Sequence, residues 1–184
     1  MSSRDAFIDT TAQLLRRQGY AGTGLNEIVA RSGAPKGSLY FHFPGGKEQL
    51  ALVAMQRAGE QLRDAITAIL ASSDDLGEAL ARLLDALAAG LEVSGYRDGC
   101  PIATVTLEAA SDSQPVRDTA AATFDSWLAA LEQRLLSDGY TASAARQRAL
   151  LVLSAIEGAL LLARATRDLA PLMAVREEML ALSA

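Results

Sequence analysis

The stretch over residues 25–49, LNEIVARSGAPKGSLYFHFPGGKEQ, constrains this chain more than any other part of it. Leu25, Ile28 and Val29 recur at helical spacing and give a short helix, residues 25–31, one buried face. Ser32-Gly33 ends that helix, because Gly33 is free to take the left-handed backbone that a sharp helix–helix corner needs. The next segment, Pro35-Lys36-Gly37-Ser38-Leu39-Tyr40-Phe41-His42-Phe43, predicts a second short helix over 35–41, dense in groups that reach phosphates or base edges. In a helix-turn-helix the second helix enters the major groove while the first crosses the backbone. The pattern predicts a DNA-binding unit.

Composition fits such a unit within an all-α protein. Half of the 184 residues are hydrophobic and only 5% are aromatic. Ala and Leu dominate while β-branched residues are scarce, which favours helix over sheet. No uninterrupted apolar run approaches the ~18 residues of a membrane span, and residues 1–5 lack the hydrophobic core of a signal peptide, so no membrane partner is expected. Cys100 stands alone, which rules out an internal disulfide framework and fits a reducing cytoplasm. The net charge of −5 is unevenly spread: residues 1–60 carry seven Lys/Arg against five Asp/Glu, whereas residues 61–184 carry ten against seventeen. Both lysines, Lys36 and Lys47, fall at the proposed DNA face, and phosphate binding depends on local cations rather than on whole-chain charge.

Along the chain, apolar periodicity and stop signals predict nine helices. The first spans 4–18, with Ser2 or Ser3 as its cap and Gly19 as its stop. After Pro44-Gly45-Gly46 a long helix runs over 47–70, with Leu50, Val53, Ala54, Leu62, Ala65, Ile66 and Ile69 facing inward. Asp75-x-x-Glu78 resembles a capping box opening a helix to about 93. Helices over 102–110, 115–137 and 142–167 follow, and Pro171 suits the first turn of a last one ending near Leu182. The expected division is a helix-turn-helix domain over 1–46 and a helical body over 47–184.

The run from Gly19-Tyr20 through Thr23, Ile28, Gly33, Lys36-Gly37-Ser38-Leu39-Tyr40, His42-Phe43 and Lys47-Glu48 resembles the N-terminal domain of TetR/AcrR-type transcriptional repressors. A second segment, Gly99-Cys100-Pro101-Ile102-Ala103-Thr104 with Leu107-Glu108-Ala109, looks like the C-terminal domain of the LmrA/YxaF-like branch, repressors of drug-efflux genes. The resemblance implies an all-helical homodimer that leaves a double-stranded operator when a small-molecule inducer binds. The chain departs from the family pattern in three places: Pro35 stands where a capping Ser or Thr is usual, Gly24 replaces a frequent cap, and Gly45-Gly46 loosens the approach to Lys47.

The 142–167 helix contains Leu150-Leu151-Val152-Leu153-Ser154-Ala155-Ile156-Glu157-Gly158-Ala159-Leu160-Leu161-Leu162-Ala163, apolar nearly all round, and such a helix needs cover on more than one side. Either it is wholly buried in one chain or a second copy covers it. The second reading makes a two-fold dimer through Leu151, Ala155, Gly158, Ala159 and Leu162 with Leu172, Val175 and Met179 of the last helix, and presents two recognition helices to a palindrome.

At the DNA face, Lys36 and Lys47 are read as phosphate ligands, with Lys36 alternatively reaching guanine O6/N7. Gly37 permits close approach, Ser38 and Tyr40 position the helix by their hydroxyls, and His42 donates from a ring nitrogen. Thr23 and Arg31 are secondary candidates, and an ordinary solvated surface is the alternative for each. In the body, Leu87, Leu91, Val105, Phe124, Trp127, Leu128, Leu131 and Ile156 are read as core or cavity lining. Glu108 and Glu157 are the carboxylates that either pair internally, Glu157 with Arg164 for example, or meet a ligand donor. An enzyme is disfavoured: with one His and one Cys there is no metal constellation, no cofactor motif and no nucleophile–base set. A helical ligand- or partner-binding module, or an activator of the same fold, stays open.

Overall fold

The computed structural model describes residues 2–181, all of whose regular structure is helical. The order is α1 Ser3–Gly22, α2 Leu25–Ser32, α3 Lys36–His42, α4 Gly46–Leu70, α5 Leu76–Val93, α6 Pro101–Ala109, α7 Gln114–Ser137, α8 Ala142–Thr166 and α9 Ala170–Ala181. Leu182, where the last helix was expected to stop, lies outside the described residues.

Most helix ends follow from their cap residues. Ser2 Oγ accepts from the Asp5 N–H at 3.1 Å and opens α1. Gly33, at φ 66°, turns α2 towards α3. Asp75 accepts from the Glu78 N–H at 2.8 Å and opens α5. The Asp75 N–H donates to Ser73 Oγ at 3.2 Å, and the Ser73 hydroxyl in turn to the Glu78 carboxylate at 3.0 Å, so Ser73 links the two residues of the box. Gly19 is the main departure from expectation. It breaks the helical backbone of α1 (φ 73°, ψ −172°), yet the chain resumes helical form to Gly22.

The chain forms two compact units, Met1–Gln61 with Cys100–Thr123, and Leu62–Gly99 with Phe124–Ala184. The division differs from a cut at 46/47: the first fifteen or so residues of α4, all of α6 and the start of α7 belong with the helix-turn-helix. In the first unit α1 packs on α2, α3 and α6. Its core holds Phe7, Ile8, Leu14, Leu15, Ile28, Leu39, Phe43, Leu50 and Met55. Phe7 and Phe43 meet edge-on at 6.5 Å, and Arg57 of α4 reaches Asp5 of α1 at 3.0 Å.

In the second unit α5 packs against α8 and α9, and α8 against α9. Here α9 turns its apolar positions inward: Leu172 and Met179 are buried in the protomer, as is Ala159 of α8. These three were expected at a dimer interface. They are already covered by their own chain, because α9 folds back onto α5 and is tied there by Arg176 to Asp85 at 2.7 Å. Ala65 likewise departs from expectation and is exposed, while Ile66 beside it is buried. Arg134 of α7 stitches the end of α4: it donates to the carbonyls of Leu70, Ser73 (2.8 Å) and Asp74 (2.7 Å) while its Nε meets Asp138 at 2.9 Å. A cation over the last carbonyls of a helix satisfies acceptors that have no partner within it.

Of the described helices, α8 is long and apolar enough to cross a membrane by length and composition. Its apolar residues divide between two faces. Ala149, Val152, Ile156, Ala159, Leu160 and Ala163 point into the unit. Leu150, Leu151, Leu161 and Leu162 do not, with Leu151 64% and Leu162 56% exposed.

Candidate nucleic-acid interface

The orientation of α3 is decided by one residue. Leu39 is buried, and at 100° per residue the ridge opposite it is formed by Gly37 and Phe41. Phe41 is 82% and Tyr40 55% exposed, and Lys36 is exposed beside them. Gly37 has ordinary helical backbone, and a Cβ added there would meet nothing within 4 Å. Neither the chain's packing nor its backbone asks for glycine at this position, although glycine in a helix costs roughly 0.5–1 kcal/mol relative to alanine. What the missing side chain leaves is room for something outside the protein.

The other sequence candidates fall into two groups. Lys47, in the first turn of α4, places its ammonium 4.3 Å from the centroid of the Tyr20 ring. Burial first, and the Glu48 carboxylate second, hold the Tyr20 phenol above its usual range, so it stays neutral under the cation. Ser38 donates its hydroxyl to the Pro35 carbonyl at 2.7 Å, back onto the first turn of α3. His42 Nε2 lies 3.0 Å from Ser3 Oγ, so this ring also ties α3 to the start of α1. Arg31 pairs with Glu27 at 2.9 Å; an exposed pair of this kind is worth under about 1 kcal/mol and yields readily to another anion.

Thr23 is a correction. It is 1% exposed, and its hydroxyl donates to the Gly19 carbonyl at 2.6 Å. Instead of facing outward it closes the turn that follows α1. Phe41 is the reverse case, an outward residue not picked out by chemistry because its ring carries no donor or charge. The 3.6-residue period counted from Leu39 was the signal that could have found it.

In the body, the proposed lining residues separate by unit. Val105 and Glu108, both of α6, belong to the unit of the helix-turn-helix, and Leu87, Leu91, Phe124, Trp127, Leu128, Leu131, Ile156 and Glu157 to the other. Glu108 is a second correction: its Oε2 accepts from the Ala21 N–H at 2.8 Å, so the carboxylate serves the end of α1. Val105 is buried there too. Trp127 is 1% exposed and meets Phe124 edge-on at 5.4 Å, with Leu128, Leu131, Leu91 and Ile156 buried and Leu87 and Glu157 half-buried. A depression of about 420 Å³ in this unit lies elsewhere, lined by Thr67, Leu70, Ser73, Asp74, Gln133 and Arg134 among others. Cys100 caps α6, its Sγ accepting from the Ala103 N–H at 3.5 Å, and no group of three or more His, Cys, Asp or Glu suited to a metal occurs among the described residues.

Comparison with known proteins decides what a chain with this face is. Residues 7–54 match the family model of bacterial regulatory proteins of the tetR family, and residues 77–178 match that of the C-terminal domain of LmrA/YxaF-like transcriptional regulators. The HTH-type transcriptional regulator LmrA of Bacillus subtilis (strain 168) is 34% identical over 93% of this chain and 91% of its own. This chain belongs to the TetR family, in its LmrA/YxaF-like branch. It is a DNA-binding regulator of transcription and not an enzyme. YxaF of the same organism is 35% identical over 96% of this chain and 92% of its own length, and the transcriptional repressor DhaR of Mycobacterium sp. (strain GP1) is 27% identical over 79% and 72%. Among solved structures, reduced E. coli NemR superposes with a TM-score of 0.84 at 22% identity, covering 96% of this chain and 94% of that one. A likeness at that identity supports the fold of this TetR-family member and nothing finer.

Proposed function

We propose that this TetR-family regulator represses transcription as a cytoplasmic homodimer bound to a palindromic operator, and that a small apolar or aromatic molecule held by the body releases it, with a drug-efflux or detoxification gene under its control. The observation that carries the DNA half of this reading is the ridge of α3: a glycine no internal contact explains, followed one turn later by an exposed aromatic ring, with Lys36 and Tyr40 alongside. Gly37 brings the helix close to the base edges. Lys36 and Lys47 neutralise phosphates, Tyr40 positions, and Phe41 contacts an apolar base edge such as a thymine methyl. Ser38, His42 and Arg31 act at the margin, each after giving up an internal bond.

For the dimer, the support is the outward stripe of α8. Leu150, Leu151, Ser154, Gly158, Leu161 and Leu162 recur at helical spacing, Gly158 has open space above it, and a second copy's helix fits against the small residues. Ala155 borders the same stripe, and Val175 of α9, half-buried, stands at its edge in this reading. A two-fold pair sets its recognition helices in successive major grooves, about 34–36 Å apart or a multiple of that. The division of labour follows: residues 1–46, with Lys47 at the head of α4, meet DNA, and the rest of 47–184 pairs the chains and holds the inducer among Trp127, Phe124 and their neighbours. LmrA-like ancestry favours repression over activation, as does the relative named a repressor. The test is a gel-shift with the DNA upstream of the gene over a salt titration, then addition of candidate inducers. A retarded species whose affinity falls steeply with salt is expected; no retarded species at low salt would leave the alternative of a partner-binding helical module.

A further inference from the structure

Within the unit that holds the helix-turn-helix, one short segment grips both sides of Lys47. The Lys47 ammonium rests over the Tyr20 ring, so its position depends on where that ring sits and on where the first turn of α4 begins. The residue after each partner is held by the segment 108–113. Ala21, next to Tyr20, donates its N–H to Glu108 Oε2 at 2.8 Å. Glu48, next to Lys47, accepts the Ser113 hydroxyl at 2.7 Å.

The end of α1 is shaped around that carboxylate. The break at Gly19 starts a new helical turn, whose N–H groups need an acceptor as at any helix start, and Glu108 provides one. A Cβ on Gly19 would lie 1.8 Å from Glu108 Oε1, and the φ of 73° disfavours any side chain there. Thr23 then locks the turn from the other side through its bond to the Gly19 carbonyl. Tyr20 therefore sits in a turn whose two ends are both fixed.

We infer that Glu108 and Ser113 are positioning residues for DNA binding, clamping the Tyr20 turn and the first turn of α4 so that the Lys47 ammonium is held on its phosphate. The inference rests on the reading of Lys47 as a phosphate ligand given above. The test uses the full chain and a duplex selected from random sequence by binding, with affinity measured across a salt series. Removing one phosphate contact lowers the slope of log affinity against log salt by about 0.9, so Lys47→Ala, which removes one contact from each protomer of the dimer, is expected to lower it by about 1.8, with roughly 25-fold weaker binding at physiological salt. Glu108→Ala is expected to lose the same slope, and to add little more in the Lys47→Ala background. Glu108→Gln, whose amide oxygen still accepts from Ala21, restores both slope and affinity. A carboxylate that only stabilised the fold would lower the melting temperature, keep the wild-type slope and weaken binding independently of Lys47; that result overturns the clamp while leaving Lys47 intact. If Lys47→Ala itself changes nothing, both the clamp and the phosphate assignment fall. Should Glu108→Ala not fold, Ser113→Ala reads the other half by the same slope; it also loses the Val116 N–H bond at 3.3 Å, which bears on stability and not on the slope.

Discussion

The ridge of α3 and the stripe of α8 are both left uncovered by the chain, and they are built on opposite terms. The first lies on a seven-residue helix, with a missing side chain, the exposed rings of Tyr40 and Phe41, and flanking cations. The second lies on a helix of twenty-five residues, with leucines bracketing Ser154 and Gly158 and the half-buried Glu157 at its edge. Two cationic recognition faces repel each other and offer little apolar area, so they do not pair; a long aliphatic stripe gains by meeting its copy, because burial contributes about 25 cal/mol per Å². Exposure alone says that something is missing from each face. Chemistry says what.

Charging the α8 stripe should have the largest effect. Leu151→Glu with Leu162→Glu puts like charges into the pairing face, where an uncompensated buried charge costs about 3–5 kcal/mol. Sedimentation is expected to show a monomer that keeps its helical circular dichroism, since both side chains are exposed in the protomer, and operator affinity should fall by at least a hundredfold. Retention of the dimer would return α8 to the status of an ordinary surface. A smaller effect is expected from Lys36→Ala, which should weaken binding to all duplexes alike and lower the salt slope by about 2, one for each protomer of the dimer; a loss confined to one base position in each half-site would instead make Lys36 a guanine reader. Phe41→Ala should sharpen the picture most finely. It is expected to cost about 1 kcal/mol on the selected duplex and little on unrelated DNA, and replacing thymine by deoxyuridine in the half-site should reproduce the loss in the wild type but not in the variant. Equal losses on both kinds of DNA would assign Phe41 to the sugar–phosphate backbone.

Much of this was legible in the residues. Leu25, Ile28, Gly33 and Leu39 set two helices and their corner by period and backbone freedom alone, and Asp75 announced the start of α5. Three things were not. Thr23 carries the chemistry of a phosphate ligand, and only the turn at Gly19 shows its hydroxyl taken. Glu108 sits 89 positions after Gly19, and nothing local signals that its carboxylate fills the space that a side chain there would need. Leu172 and Met179 have the pattern of any amphipathic helix, and periodicity reports that a face is buried without saying whether its own chain or a partner covers it.

Gly37 offers the most direct test of the DNA face. Gly37→Ala should leave the free protein as stable as before or raise its stability by up to about 1 kcal/mol, since a Cβ there meets nothing, while affinity for the selected duplex falls by tenfold or more. Thermal unfolding and duplex binding measured on the same preparation would show both. Unchanged duplex affinity would contradict the assignment of this ridge to DNA.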